Sequence, residues 1–295
     1  MIRTKLSNKK PLAILCSDLH LREDTPVCFT GDFQKEQWDA LDFISDMQKK
    51  YDCPVVCAGD LFDHWKPSPW LLSITIQHLP KEFYTIYGQH DLPQHNWELR
   101  DKSGIYTLEK AGALEVLSFT HYGQLPDKKL EMIYTDWFRN KILVWHYLTY
   151  IEKPFPGAKD GNAMSILKKY PNFDLIVTGD NHQSFTVEYQ GRRLVNPGSM
   201  TRQSADQIDF KPCIYLWYAE DNSVQQVFLP IQEGAVTREH IEHKEERDGR
   251  IDAFISKMVD DWQVKLSFED NLKEYFAVND TDEEIKEIIY KSIGK

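Results

Sequence analysis

The sequence predicts an α/β fold built on parallel strands, and two patterns predict it. Three short apolar runs, at 12–17, 54–58 and 83–87, alternate with two helix-like stretches, at 35–50 and 68–79. A βαβαβ order of this kind makes the strands parallel and lays the helices on the faces of their sheet. Each apolar run then ends in residues that carry chemistry: Asp18-Leu19-His20, Gly59-Asp60 and Gly88-Gln89-His90-Asp91. Ligands of open α/β sheets bind at the carboxyl ends of the strands, so these ends are expected to converge on one cleft.

Each element has its own warrant. The run LAILCS at 12–17 is continuously apolar, as a strand buried on both faces requires. Over 35–50, Trp38, Leu41, Ile44 and Met47 recur at helical spacing and define one apolar face. In the second half, strand-like runs at 114–119 and 130–135 flank a loop with Gly123 and Pro126. The run at 141–145 delivers His146, and the run at 174–178 delivers Gly179-Asp180-Asn181-His182. Runs at 185–189 and 193–195 flank Gln190-Gly191, a hairpin signal. Runs at 213–218 and 224–229 are expected to close a second sheet.

After Pro230 the character changes. Residues 232–250 are charged and read as a linker, and Ile251, Phe254, Ile255, Met258, Val259 and Trp262 then follow helical spacing. Ser267 with Asp270, and Thr281 with Glu284, have capping-box spacing for two more helices. The organisation expected is a main domain over 1–230 and a helical appendage over 231–295. That appendage either packs on the main domain or docks a partner.

A chain of 295 residues fits one large domain with such an appendage. No stretch approaches the ~18 apolar residues of a membrane span, and the basic N-terminus lacks the apolar region of a secretory signal. No membrane association and a cytoplasmic location are expected. The five cysteines are odd in number, which argues against a disulfide framework, and Cys53 and Cys57 lack the second pair that a zinc-thiolate site needs. A net charge of −11 argues against a surface generally coated by DNA. It leaves room for a nucleic-acid substrate, because bound cations reverse the local potential of a site.

The five clusters carry Asp, His and amide oxygen enough to hold two metal ions, which points to hydrolysis of a phosphate ester. Ser17-Asp18-Leu19-His20-Leu21, Ala58-Gly59-Asp60-Leu61-Phe62-Asp63, Tyr87-Gly88-Gln89-His90-Asp91 and Asn196-Pro197-Gly198-Ser199 carry a family resemblance. Over roughly 10–220 the chain resembles the calcineurin-like metallophosphoesterases, and within them the SbcD-type nucleases that process DNA breaks. The resemblance implies a four-layer αββα sandwich. It implies that Asp18, His20 and His182 hold one divalent ion, that Asp60 bridges two, and that Gln89, His146 and Asp180 complete the second. His90 would act as the catalytic histidine beside a metal-activated hydroxide, oriented by Asp91. DNA as substrate, an SbcC-type ATPase partner docked on the C-terminal helices and a homodimer are further implications.

Two positions depart from the family pattern, which has Asn where this chain has Gln89 and His where it has Asp180. An anionic oxygen in place of a neutral nitrogen makes the second site harder, favouring Mn²⁺ or Mg²⁺ over Zn²⁺, with Fe also compatible with the donor set. The same departures admit a catalytically weak binding protein. Asn196-Pro197-Gly198-Ser199 also fits an enzyme for small phosphodiesters or a phosphatase. Phosphatases of the family carry Asp-Arg-Gly where this chain has Asp63-His64-Trp65, which favours the nuclease branch. His64 and Arg202 are candidate phosphate contacts, whereas His95 and His121 are not expected to be ligands. Trp65, Lys66, Trp97, Tyr147 and Tyr150 adjoin the motif loops, where they either stack bases or pack.

Overall fold

The chain is described here by a computed structural model covering residues 9–117, 132–137, 140–153, 160–239, 241–242, 250–251, 268–279 and 281–292. It divides into two compact units, Met1–Thr237 and Arg238–Lys295. Among the described residues, no helix is long and apolar enough to cross a membrane.

The first unit opens with the expected alternation. Strand β1 (Ala13–Cys16) leads to helix α1 (Phe33–Tyr51), strand β2 (Val55–Cys57), helix α2 (Pro69–His78) and strand β3 (Phe83–Thr85). Helix α1 starts at Asp32, whose carboxylate accepts from the Lys35 N–H, and helix α2 starts at Ser68, whose hydroxyl accepts from the Leu71 N–H. Each cap satisfies a donor that the first helical turn leaves unpaired. Two 3₁₀ turns and helix α3 (Gly104–Lys110) follow, then strand β4 (Glu115–Val116). Strands β1 to β4 pair in parallel.

A second sheet holds β5 (Met132–Trp137), β6 (Asn140–Trp145), β7 (Leu175–Thr178), β8 (Phe185–Tyr189) and β9 (Arg192–Asn196), in the order β5-β6-β7-β9-β8. Helix α4 (Ala163–Lys169) packs against β8 and β9. Strands β8 and β9 form the expected hairpin through Gln190 and Gly191, both left-handed at φ +53 and +76. Two consecutive positive φ values make the tight turn whose twist matches antiparallel strands.

Strands β10 (Cys213–Tyr218) and β11 (Ser223–Phe228) correct the expectation that they close the second sheet. They return to the first, β10 pairing antiparallel with β1, to give the order β11-β10-β1-β2-β3-β4. The reason lies in burial on both faces of β10. Ile214 and Leu216 join the core under α1 to α3, while Cys213, Tyr215 and Trp217 join the core between the sheets.

That alternation defines the layers. Ile14 and Cys16 of β1 face the helices, and Ala13 and Leu15 face the second sheet. On the far side of that sheet, Leu143, Ile176 and Leu194 pack against Ala163, Ile166 and Leu167 of α4. The fold is therefore the four-layer αββα sandwich. All five cysteines are free and buried.

The second unit holds helices α5 (Phe268–Val278) and α6 (Glu283–Ser292), and α6 is capped by Asp282 rather than by Thr281, the Asp282 carboxylate accepting from the Glu284 N–H at 3.0 Å. The helical pattern from Phe254 to Trp262, the cap at Ser267, His121, and the loop with Gly123 and Pro126 lie outside the described residues.

Candidate metal centre

Each candidate ligand stands in a loop just past a strand. Asp18 and His20 follow β1, Asp60 follows β2, Gln89 follows β3, His146 follows β6, and Asp180 and His182 follow β7. Four of these residues hold left-handed backbone, with φ of +50 at Asp18, +45 at His20, +52 at Asp60 and +70 at Asp180. Non-glycine residues adopt this region at a cost of order 1–2 kcal/mol each, and Asp and His tolerate it better than most. Concentrating that cost at adjoining strand ends is a property of functional loops.

The loops are tied to one another. The Asp18 N–H donates to the Gly59 carbonyl, and the His20 N–H donates to the Asp60 carbonyl. Glycine permits the close approach. A Cβ on Gly88 would stand 2.1 Å from Asp60 Oδ1, and one on Gly179 would stand 2.8 Å from His146 Nδ1.

Asp60 is central. Its Oδ1 accepts from the His90 N–H at 2.9 Å, and its Oδ2 lies 3.1 Å from His146 Nε2 and 3.7 Å from His20 Nε2. His146 donates through Nδ1 to the Ala58 carbonyl at 2.8 Å, which leaves Nε2 as the lone-pair nitrogen of the neutral ring. His20 Nε2 and His182 Nε2 face each other at 3.2 Å. Ligand atoms of Asp18, His20 and His182 form one group within 4.8 Å of one another, those of Asp18, Asp60 and His146 form another, and those of His20, Asp63 and His90 form a third. Asp60 thus reaches an imidazole from each group, which is the geometry a bridging carboxylate needs.

The donor atoms fit divalent ions. Asp18 Oδ2 and His20 Nδ1 are buried with no hydrogen-bond partner, although buried polar atoms are normally paired, and His146 Nε2 has only the Asp60 carboxylate at 3.1 Å. The electrostatics point the same way. Burial, opposed by His146 and reinforced by Asp60, pushes the Asp18 carboxyl up to about 6. Burial pushes the His20 imidazole down to about 3. Burial opposes the His146 charge as well, but the Asp60 carboxylate overrides it and raises that imidazole well above its ordinary range. Burial likewise opposes the Asp60 charge, while His146 and His20 hold its carboxyl below the usual carboxylate range. Carboxylates and imidazoles crowded out of water call for positive charge, and metal cations supply it.

Asp91 does not orient His90. Its Oδ1 accepts from the Phe62 N–H at 3.1 Å, and its Oδ2 accepts from the Gly88 and Leu61 N–H groups at 2.9 and 3.3 Å. It therefore clamps the Asp60 loop to the Gly88 loop, and burial together with Asp60 pushes its carboxyl up to about 7. His90 instead donates through Nδ1 to the Asp63 carbonyl at 2.9 Å, with its ring edge-to-face against His20.

The remaining sequence candidates divide. Gln89 and Asp180 meet directly, the amide Nε2 donating to Asp180 Oδ1 at 2.7 Å. His64 stands exposed beside Trp65, its Nδ1 accepting from the Lys66 N–H. Arg202 is placed away from substrate duty: it is 2% exposed, and its guanidinium donates to both Glu36 oxygens and to the Gln232 carbonyl. His95 donates to the Gln89 carbonyl and joins none of the ligand groups. Sequence reasoning misses the polar set behind the Asp180 loop. Thr149 and Thr178 share a hydrogen bond, Thr178 donates to Asn196, and Asn196 donates to the Asn181 and Gln183 carbonyls. Its only signal is polar residues closing apolar strands.

No curated protein matches the chain. It is similar in structure to an archaeal phosphodiesterase at 14% identity, covering 74% of this chain and 99% of that one, with a TM-score of 0.42. A predicted phosphoesterase from Streptococcus pneumoniae is 15% identical over 69% of this chain and 79% of its own, with a TM-score of 0.34. Zinc-bound Vps29 from Entamoeba histolytica is 14% identical over 74% of this chain and 97% of its own, also at 0.34. The calcineurin-like phosphoesterase family model matches residues 13–184, more than half of the sequence, and the chain belongs to that family.

Proposed function

We propose that this chain is a two-metal phosphodiesterase whose substrate is DNA and whose preferred ion is Mn²⁺. The observation that carries the reading is the buried cluster of Asp18, His20 and His146 around Asp60, in which Asp18 Oδ2 has no hydrogen-bond partner. Asp18, His20, His182 and Asp60 would hold one ion, and Asp60, Gln89, His146 and Asp180 the other. When bound, such a pair of ions polarises a phosphoryl oxygen and makes a water acidic near neutral pH.

The chain's own residues do the rest. His90 spends its Nδ1 proton on the Asp63 carbonyl, so Nε2 bears a proton only in the imidazolium form. His90 would therefore act as an imidazolium, offering the Nε2 proton to the leaving alkoxide. Asp91 keeps the loops that carry Asp60 and His90 in register through its three backbone hydrogen bonds.

DNA is favoured by the SbcD-like text from Gly59 to Asp63, and the exposed His64 beside Trp65 offers a ring pair on which a base can stack. The C-terminal helices α5 and α6 expose Phe268, Val278, Ile285 and Ile288, which suits docking of an SbcC-type ATPase. A second reading, a catalytically weak protein on this fold, draws on the Gln89–Asp180 hydrogen bond, which engages Asp180 Oδ1, one of the oxygens the second ion would use.

The test compares linear DNA, a cyclic nucleotide and a phosphomonoester as substrates with Mn²⁺ present. Cleavage of DNA supports the proposal. Turnover of the monoester alone refutes it, and turnover of the cyclic nucleotide alone moves the substrate to small diesters.

A further inference from the structure

One residue stands against both His20 and His90. Asp63 Oδ1 lies 3.7 Å from His20 Nδ1, and the Asp63 backbone carbonyl accepts from His90 Nδ1 at 2.9 Å. We propose that Asp63 is a positioning residue of the centre. Its carboxylate fixes the tautomer and orientation of His20 for the ion site of Asp18, His20 and His182, while its carbonyl fixes the ring of His90. The proposal rests on the two-metal reading of the centre and deepens it.

The state of the His20 ring calls for such a partner. His20 Nε2 faces His182 Nε2 at 3.2 Å and Asp60 Oδ2 at 3.7 Å. A neutral imidazole that gives its Nε2 lone pair to a cation carries its proton on Nδ1. That Nδ1 is buried and has no hydrogen-bond partner, so water does not serve it. Closing the 3.7 Å gap by about 0.8 Å gives an ordinary N–H···O bond to Asp63 Oδ1. A carboxylate on the far nitrogen of a ligand imidazole holds the ring in place and raises its basicity.

Asp63 is built to supply that bond. Its N–H donates to the Leu21 carbonyl at 3.2 Å, which ties its backbone to the loop after β1. Its Oδ2 lies 3.3 Å from Arg22 Nη1, which also donates to Gln203 Oε1 at 3.2 Å. Gln203 Nε2 donates in turn to the His20 carbonyl at 3.1 Å, so the Asp63–Arg22–Gln203 chain returns to His20. The Asp63 side chain is 33% exposed, so the fold does not need its carboxylate as filling.

Isothermal titration of the metal-stripped full-length protein with MnCl₂ tests the assignment on the wild type, D63A and D63N. Every variant keeps the backbone carbonyl that holds His90, so the side chain is read alone. Two Mn²⁺ per wild-type chain is the condition set by the two-metal reading, and fewer than two overturns that reading and the positioning role with it. Given two, D63A should lose about 10–100-fold in Mn²⁺ affinity at one site and stay within threefold at the other. Saturating MnCl₂ should then restore its kcat on bis(4-nitrophenyl) phosphate to within threefold of the wild type. Affinity unchanged at both sites overturns the proposal, and so does a kcat that stays more than tenfold down at saturation, which would place Asp63 in the chemical step. Three Mn²⁺ on the wild type with the third lost in D63A would make His20, Asp63 and His90 an ion site instead, also overturning it. D63N keeps the shape and guards against a folding effect. It should weaken the same single site, by less than D63A, whereas a lowered Tm in EDTA with both sites weakened alike overturns the proposal.

Discussion

Replacing Gly88 by Ala puts one methyl group where the fold has no room for it. The new Cβ would stand 2.1 Å from Asp60 Oδ1 and 2.4 Å from the Asp60 backbone nitrogen. Carbon makes favourable contact at roughly 3.5 Å, so one side must move by about 1 Å or more. Neither side is free to yield. Asp60 Oδ1 accepts from the His90 N–H, Asp60 Oδ2 faces His146, and the Gly88 N–H is held by Asp91. Displacing a reacting group by about 1 Å can cost about 10²-fold in rate. We expect G88A to lose about 10²-fold or more in Mn²⁺-dependent hydrolysis of bis(4-nitrophenyl) phosphate and to bind fewer than two Mn²⁺ by calorimetry. Overpacking of this kind costs about 1–3 kcal/mol, so the fold should persist with a lowered Tm. Gly191 is the control. It is left-handed at φ +76 with nothing within 4 Å of a built Cβ, so G191A should cost about 1 kcal/mol of stability and no activity. A G88A protein that binds two Mn²⁺ and works within threefold of the wild type refutes the reasoning.

Three further outcomes follow from the same geometry. H90A should lose about 10²–10⁴-fold in kcat while keeping two-ion stoichiometry, since His90 touches Asp60 only through its backbone N–H; loss of an ion alongside the rate would make it a ligand instead. R202A should cost about 3–5 kcal/mol in chemical denaturation, because it strands the buried Glu36 carboxylate. Its KM for a diester should not change, and a tenfold rise would restore Arg202 as a substrate contact. Metal-free protein should lose stability as pH rises from 6.5 to 8. Asp91, pushed up to about 7, and His146, held above its ordinary value, bind more protons folded than unfolded there, so their contribution falls with rising pH. His20, pushed down to about 3, acts in the opposite sense but only below its unfolded value of about 6.5. Differential scanning fluorimetry in EDTA and in MnCl₂ checks this: Tm should fall across the window in EDTA and recover with Mn²⁺. A Tm that rises across the window in EDTA contradicts the signs assigned.

The legible features were those written locally. Apolar runs mark β1, β2, β3, β6 and β7, and the polar residues that follow them mark the centre, because a strand end is a local event. Long-range partners were illegible. Arg202 sits 166 residues from Glu36, so a basic residue just past Ser199 reads as a phosphate contact until the buried pair is seen. Asp91 reads as the partner of His90 because it is adjacent. Neighbouring side chains point apart, however, and Asp91 turns to the N–H groups of Leu61 and Phe62. Strands β10 and β11 look like further members of the second sheet because strand order depends on pairing across the fold, here Ala13 with Trp217. The departures at 89 and 180 were readable one at a time, while their hydrogen bond was not.

Anomalous diffraction at the manganese edge from crystals grown with MnCl₂ tests the central claim most directly. Two peaks about 3.5–4 Å apart are expected, as in other two-metal sites. Asp60 should lie between them, Asp18, His20 and His182 should border one, and Gln89, His146 and Asp180 the other. A single peak, or two peaks that Asp60 does not join, would contradict the account.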